Sequence, residues 1–244
     1  MQVFFVSPHD IQNGKAVITG DLFHHLKGAL RYAKGDEIRL SDGRGNIYRA
    51  VITRAHGERL EAEIQSKEEI SEQNKRSLRL GFAVVKKKGL EWILQKGTEL
   101  GVSEFIPLLT TRTVVQPREE RIEHQKHRWE KIILEAAQQS EGEAPPTLQL
   151  PVDFRSFLQE PHEGIKLIFW EKEGISVRQA LDDVEPKNKI TAVIGPEGGL
   201  TEEEIEWARS ANFQTVSLGK RKLRSETAVL AAVTVIQYEI GAFG

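Results

Sequence analysis

The run Ile190-Thr191-Ala192-Val193-Ile194, followed at once by Gly195-Pro196-Glu197-Gly198-Gly199-Leu200-Thr201-Glu202-Glu203-Glu204, constrains this chain more than any other stretch. Apolar and β-branched residues stopped by Gly-Pro read as a buried strand. Thr201 with Glu204 three residues later reads as a capping box, so a helix starts there. The chain must pass from a strand to a helix through a glycine-rich turn, which is the building step of an αβ sheet. Glycine lets backbone approach a ligand closely and take φ > 0. The turn can therefore seat a small molecule, although a Gly-Gly turn also serves strand–helix geometry alone. It lacks the Lys-Ser/Thr end of a phosphate-binding loop and the G-x-G-x-x-G spacing. Glu197 and the three glutamates that follow would repel a phosphate drawn by the helix dipole, and a neutral or partly cationic ligand fits better.

One strand–helix unit later, Leu218-Gly219-Lys220-Arg221-Lys222-Leu223-Arg224-Ser225-Glu226-Thr227-Ala228 repeats the arrangement, between a strand at 215–218 and an apolar helix at 225–240. Further upstream, strands are expected at 78–85, 104–109 and 166–170, and helices at 89–100 (stopped by Gly101), 119–139, 177–181 and 202–211. This alternation implies a mostly parallel sheet with helices on both faces. Trp92, Leu94 and Leu100 are expected in its core. Arg112 leaves the carboxyl end of the 104–109 strand, where such sheets bind ligands.

The N-terminal part reads differently. Strands are expected at 3–6, 16–19, 37–40, 47–53 and 60–64, with Asp42-Gly43-Arg44-Gly45 as a hairpin turn. One amphipathic helix is expected at 21–32, with Asp21 as N-cap and Gly35 as stop. Residues 66–77 are polar apart from Ile70, a linker composition. The expected domains are 1–70 and 71–244.

With 244 residues, 39% hydrophobic and 29% charged, the composition is that of a globular protein. No apolar run approaches 18 residues and no charged-then-apolar leader follows Met1, so no membrane span or signal peptide is expected and the cytoplasm is the expected compartment. The absence of cysteine removes disulfides, thiolate metal sites and a Cys nucleophile. His124 and His127 share a helix face but have no third ligand nearby, and no metal is expected. A net charge of -2 excludes a uniformly basic nucleic-acid binder. Basic residues do cluster at 86–88, at Lys126, Arg128 and Lys131, and at 220–224, and two of these clusters flank the loops described above. Arg31, Arg39, Arg44, Arg49, Arg54 and Arg59 enrich the N-terminal unit in the planar fork that suits phosphates.

Taken together, the Gly-Pro-Glu-Gly-Gly-Leu-Thr block at 195–201 and the Leu-Gly-x-Arg-x-Leu-Arg-x-Glu-Thr-Ala block at 218–228 closely resemble the paired signature of the bacterial 16S rRNA uracil-N3 methyltransferase family of the SPOUT superfamily. Two further blocks agree in order: His24-His25-Leu26 with Leu30-Arg31, and the segment from Lys88 to Val102. The resemblance implies a C-terminal SPOUT α/β domain tied in a deep trefoil knot, an exception to the general absence of knots, and an N-terminal PUA-like RNA-binding β-barrel. It implies S-adenosylmethionine as cofactor, held by Gly195, Pro196, Glu197, Gly198, Gly199, Leu218, Gly219, Leu223 and Thr227. It also implies 16S rRNA in the small ribosomal subunit as partner, contacted by Arg31, Lys88, Lys96 and Arg221, and a homodimer. His24 and His25 either pack the barrel or contact a base. The chain departs from the family where Glu141-Gly142-Glu143 follows Gln139-Ser140 in place of an arginine, and where Lys222 replaces isoleucine.

Methylation at N3 of uridine needs the N3 proton removed or the ring's developing charge held by a cation. Arg224 is the first candidate for charge stabilisation, Arg112 the second. Glu197 or Glu226 can orient an arginine or receive the proton through water. The rival reading is a SPOUT-fold ribosome-assembly factor that binds rRNA without catalysis.

Overall fold

The computed structural model describes residues 2–69, 77–114, 119–142, 144–182, 184 and 189–243. It divides into two compact units, Met1–Gln73 with Ala137–Pro145, and Asn74–Ala136 with Pro146–Gly244.

The first unit holds a six-stranded sheet. In chain order its elements are β1 (Val3–Phe5), β2 (Ile11–Gln12), β3 (Lys15–Ile18), α1 (Gly20–His24), β4 (Glu37–Ser41), β5 (Asn46–His56) and β6 (Arg59–Glu69). The strand order is β1-β4-β5-β6-β3-β2, antiparallel except for β1 on β4. Alternate residues point inward, as the period of two requires: Ile38 and Leu40, Ala50 and Ile52, Leu60 and Ala62 meet Phe4, Ile18, Phe23 and Leu26 in one core. The hairpin turn at 42–45 forms as expected, and the Asp42 carboxylate organises it by accepting from the Arg44 and Asn46 backbone and from Asn46 Nδ2.

Two expectations need correction here. The helix expected over 21–32 is a short α-helix capped at Thr19, not Asp21, that widens into a π-helical turn over His25–Ala29. Arg31 then takes φ +60 and turns the chain back before Gly35. That early exit brings Tyr32 edge-on to Phe4 at 5.9 Å, so tertiary packing overrides the helical period. The expected linker at 66–77 is also partly strand. β6 runs on to Glu69 by pairing with β5, Asn46 opposite Glu69 and Arg49 opposite Ser66. Residues 65–69 are polar because the end of this hairpin is solvent-exposed, not because its backbone is irregular. Residues 70–76 lie outside the described residues.

The second unit is a parallel α/β sheet. Its elements are β7 (Ser77–Ala83), α2 (Lys87–Glu99), β8 (Glu104–Leu109), α3 (Glu119–Gln139), β9 (Thr147–Leu148), β10 (Val152–Asp153), α4 (Phe154–Gln159), β11 (Ile165–Phe169), β12 (Ile175–Ser176), α5 (Val177–Ala180), β13 (Lys189–Ile194), α6 (Glu202–Ser210), β14 (Gln214–Ser217) and α7 (Ser225–Glu239). The order is β10-β8-β7-β13-β11-β14-β12 with β9 on β8, every pairing parallel. The two faces bury different helices. Leu78, Leu80 and Phe82 of β7 with Leu167 and Phe169 of β11 meet α2, α3, α5 and α7. Ile106 and Leu108 of β8 with Ile168 of β11 and Val193 of β13 meet α4 and α6.

Trp92 does not join this core. It is 48% exposed, while Leu90, Ile93 and Leu94 face inward. Two helical residues beyond Leu90 is about 200° around the axis, which points Trp92 outward. Among the described residues no helix is long and apolar enough to cross a membrane.

Candidate active site

β11 lies between β13 and β14, with Phe169 opposite both Ile194 and Val216. The three loops that leave these strands therefore start from one sheet edge, at the carboxyl ends where parallel sheets bind ligands. They enclose a pocket whose lining runs from Phe169 to Glu171, from Ile194 to Leu200, and through Leu218, Gly219, Arg221, Lys222, Leu223, Ser225 and Ala228.

The loop after β13 owes its shape to its glycines. A Cβ on Gly195 would stand 2.8 Å from Leu200 Cγ, and one on Gly199 would stand 2.6 Å from Glu171 Oε1. Gly199 also takes φ +70, and its N–H donates to Pro196 O at 2.8 Å. The capping box predicted at Thr201 is present: Thr201 Oγ1 accepts from Glu204 N at 3.1 Å and Glu204 Oε2 accepts from Thr201 N at 2.8 Å. On the opposite side, buried Ser225 donates through Oγ to Gly195 O at 2.9 Å, which ties the first turn of α7 to the same loop. Lys172 Nζ joins Glu202 at 2.7 Å, linking the loop after β11 to the start of α6; that hydrogen bond holds the Glu202 carboxyl below its usual range.

Most of the expected cofactor residues meet here. Gly195, Pro196, Glu197, Gly198, Gly199, Leu218, Gly219 and Leu223 line the pocket. Thr227 does not; it is exposed, two residues past Ser225 and so on another side of α7. Of the catalytic candidates, Glu197 lines the pocket with an exposed side chain. Arg112 lies at the pocket's margin, its Nη1 donating to Gly198 O at 2.7 Å. Arg224 is the exposed N-cap of α7, outside the lining but next to Leu223 and Ser225, which belong to it.

The RNA candidates lie on different elements. Arg221 lines the pocket. Lys88 is exposed in the first turn of α2, and Lys96, two turns on, is engaged with Glu99 at 2.7 and 2.8 Å. Arg31 is exposed in the first unit. Sequence reasoning missed Trp170, Glu171, Lys222, Ser225 and Ala228. Glu171 could have been found by the argument that found Arg112, since it follows the carboxyl end of a parallel strand.

Chemically, the pocket combines glycine-lined backbone, an apolar floor of Phe169, Ile194 and Leu200, carboxylates at Glu171 and Glu197, and cations at Arg221 and Lys222. It suits a ligand with an apolar body and charges of both signs.

A parallel α/β unit with such a carboxyl-edge pocket defines a class of protein, and family models agree with it. One described as an RNA methyltransferase domain matches residues 72–237, and one described as an RNA methyltransferase PUA domain matches residues 18–65. The ribosomal RNA small subunit methyltransferase E of Synechocystis sp. is 36% identical over 237 residues, 95% of this chain and 75% of the relative. That of Bacillus subtilis is 33% identical over 240 residues, 91% and 89%. A crystal structure of the Neisseria gonorrhoeae ribosomal RNA small subunit methyltransferase E bound to S-adenosyl methionine superposes with a TM-score of 0.86 at 31% identity, covering 98% of this chain and 97% of that one. The chain belongs to the ribosomal RNA small subunit methyltransferase E family.

Proposed function

We propose that this protein transfers a methyl group from S-adenosylmethionine to N3 of a uridine in 16S rRNA near the decoding site of the small ribosomal subunit. The observation that carries the reading is the glycine cradle of the loop after β13. Gly195 and Gly199 leave no room for a Cβ, and so bring bare backbone to a pocket that also has apolar and charged walls. The family's Neisseria gonorrhoeae member, which covers nearly the whole chain, holds this cofactor.

When bound, S-adenosylmethionine supplies an electrophilic methyl group on a sulfonium sulfur. The backbone of Gly195, Pro196, Gly198, Gly199, Leu218 and Gly219 holds the adenosine, and Leu223 packs against it. Glu171 and Glu197 offset the cofactor's positive charge. On the substrate side, uridine N3 loses its proton as it gains the methyl group, and negative charge builds on the ring oxygens. Arg224 meets that charge, with Arg112 as second cation. Glu197 or Glu226 orients these arginines or takes the N3 proton through water. Arg31, Lys88, Lys96 and Arg221 contact rRNA.

We divide the chain at 70/71 into a PUA-like RNA-binding domain and a SPOUT domain knotted toward its C-terminus. Support for the knot is the position of β11 between β13 and β14, with all three loops sharing one pocket. The active form is a cytoplasmic homodimer. Its support is the exposed apolar surface of the α2 and α7 helices, with Trp92 at 48%, Val235 at 36% and Tyr238 at 66% exposure.

The test is transfer of labelled methyl from S-adenosylmethionine to purified small subunits that lack the modification, followed by nucleoside analysis. Label in 3-methyluridine is the expected result. Subunit binding without transfer would favour an assembly factor.

A further inference from the structure

A capping box needs one acceptor from the third helical residue, and glutamine supplies it as well as glutamate does. At this position Glu204 carries a full carboxylate that is 1% exposed. Burying a charge is costly unless its oxygens are hydrogen-bonded. Oε2 accepts from Thr201 N at 2.8 Å and from its hydroxyl at 3.1 Å, which completes the box. Oε1 has no part in capping. It accepts the backbone N–H of Thr111 at 2.8 Å, 93 residues away in sequence.

Thr111 is the second residue of a turn over 110–113, closed by Thr113 N to Thr110 O at 3.0 Å. The third residue is Arg112, whose Nη1 reaches Gly198 O at 2.7 Å. A closed circuit results: Gly198 to Thr201 along the chain, Thr201 to Glu204 through the box, Glu204 to Thr111, and Arg112 back to Gly198. The turn follows β8 and the glycine loop follows β13, and β7 separates those two strands in the sheet. Among the described residues no strand ladder joins β8 to β13 directly. Glu204 and Arg112 make that connection across β7.

We infer that Glu204 is a positioning residue for methyl transfer: its Oε1 fixes the 110–113 turn and so places the Arg112 guanidinium at the Gly198 margin of the pocket. The inference rests on the role given to Arg112 above. Glu204 itself, buried beneath the turn, is outside the lining of the glycine-loop pocket.

Two substitutions separate positioning from capping. Glu204→Gln is near-isosteric but keeps one acceptor oxygen, so Thr201 N–H and Thr111 N–H can no longer both be satisfied. Thr111→Pro removes the second donor from the other side and leaves the capping box whole; proline suits the second position of such a turn. For each variant, in wild-type and Arg112→Ala backgrounds, we would measure kcat on small subunits, the S-adenosylmethionine Kd by calorimetry and the thermal midpoint. The expected result is a folded protein with Kd within about threefold of wild type and kcat lowered by about 10- to 100-fold, the scale of a small misplacement. In the Arg112→Ala background the same substitutions should leave kcat where Arg112→Ala alone puts it.

Wild-type kcat in either folded variant overturns the inference, as does a loss that multiplies with that of Arg112→Ala. Should Glu204→Gln fail to fold, Thr111→Pro decides. Full turnover by Arg112→Ala alone removes the reading of Arg112 and the inference with it, whereas an impaired Arg112→Ala with multiplying losses removes only the inference.

Discussion

The loop that leaves β13 is held by its own turn, by Ser225, by the Glu204 box and by Arg112, whereas the loop that leaves β14 is solvent-exposed over six residues, from Gly219 to Arg224. Both carry glycine at the carboxyl end of a strand beside the same strand, β11. In the first, glycine is demanded by crowding: a Cβ at Gly195 would meet Leu200. In the second it is demanded by backbone alone, since Gly219 has φ +100 and nothing within 4 Å of where a Cβ would stand. The difference teaches that contacts within the protein hold one side of the pocket. The other presents Lys220, Arg221, Lys222 and Arg224 to solvent.

If that division is right, substitutions in the two loops should fail in different ways. The largest effect is expected from Arg224→Ala, which removes the proposed charge-stabilising donor from the open loop. Turnover on small subunits should fall by about 100-fold or more, while calorimetry finds the cofactor Kd little changed; a folded, fully active variant would take Arg224 out of the mechanism. Next comes Gly195→Ala in the built loop. Leu200 is 2% exposed, so overpacking of roughly 2 kcal/mol should weaken S-adenosylmethionine binding about 30-fold. Wild-type affinity there would mean that the cradle does not touch the cofactor. The smallest effect is expected from Gly219→Ala, where only backbone strain of roughly 1 kcal/mol opposes the change. A Kd about fivefold weaker would fit, and a loss larger than that of Gly195→Ala would reverse the comparison.

The built loop was legible in sequence because its local signals agree: an apolar strand, Gly-Pro, and Thr201 with Glu204 fix its backbone within ten residues. The β8 and α3 boundaries were legible for the same reason. What escaped depends on contacts far apart in sequence. Thr111 and Glu204 are joined across β7, Ser225 reaches back to Gly195, and Glu171 matters because β11 places it beside Gly199. The expectation that Trp92 joins the core fails because the helical phase set by Leu90, Ile93 and Leu94 turns it out. Strands of two residues such as β9, β10 and β12 are too short for a periodicity to appear. The open loop was legible as a motif, and its exposure agrees with the run of charges at 220–224.

The most direct measurement is amide hydrogen exchange of the whole protein with and without saturating S-adenosylmethionine. The amides of Gly199, Thr201 and Glu204 already donate within their loop and helix cap, and should change little. The peptide spanning 219–224 should exchange fast in the free protein and slow more than any other peptide of the second unit when the cofactor is added. No slowing at 219–224, or a greater slowing outside the pocket, would contradict the account.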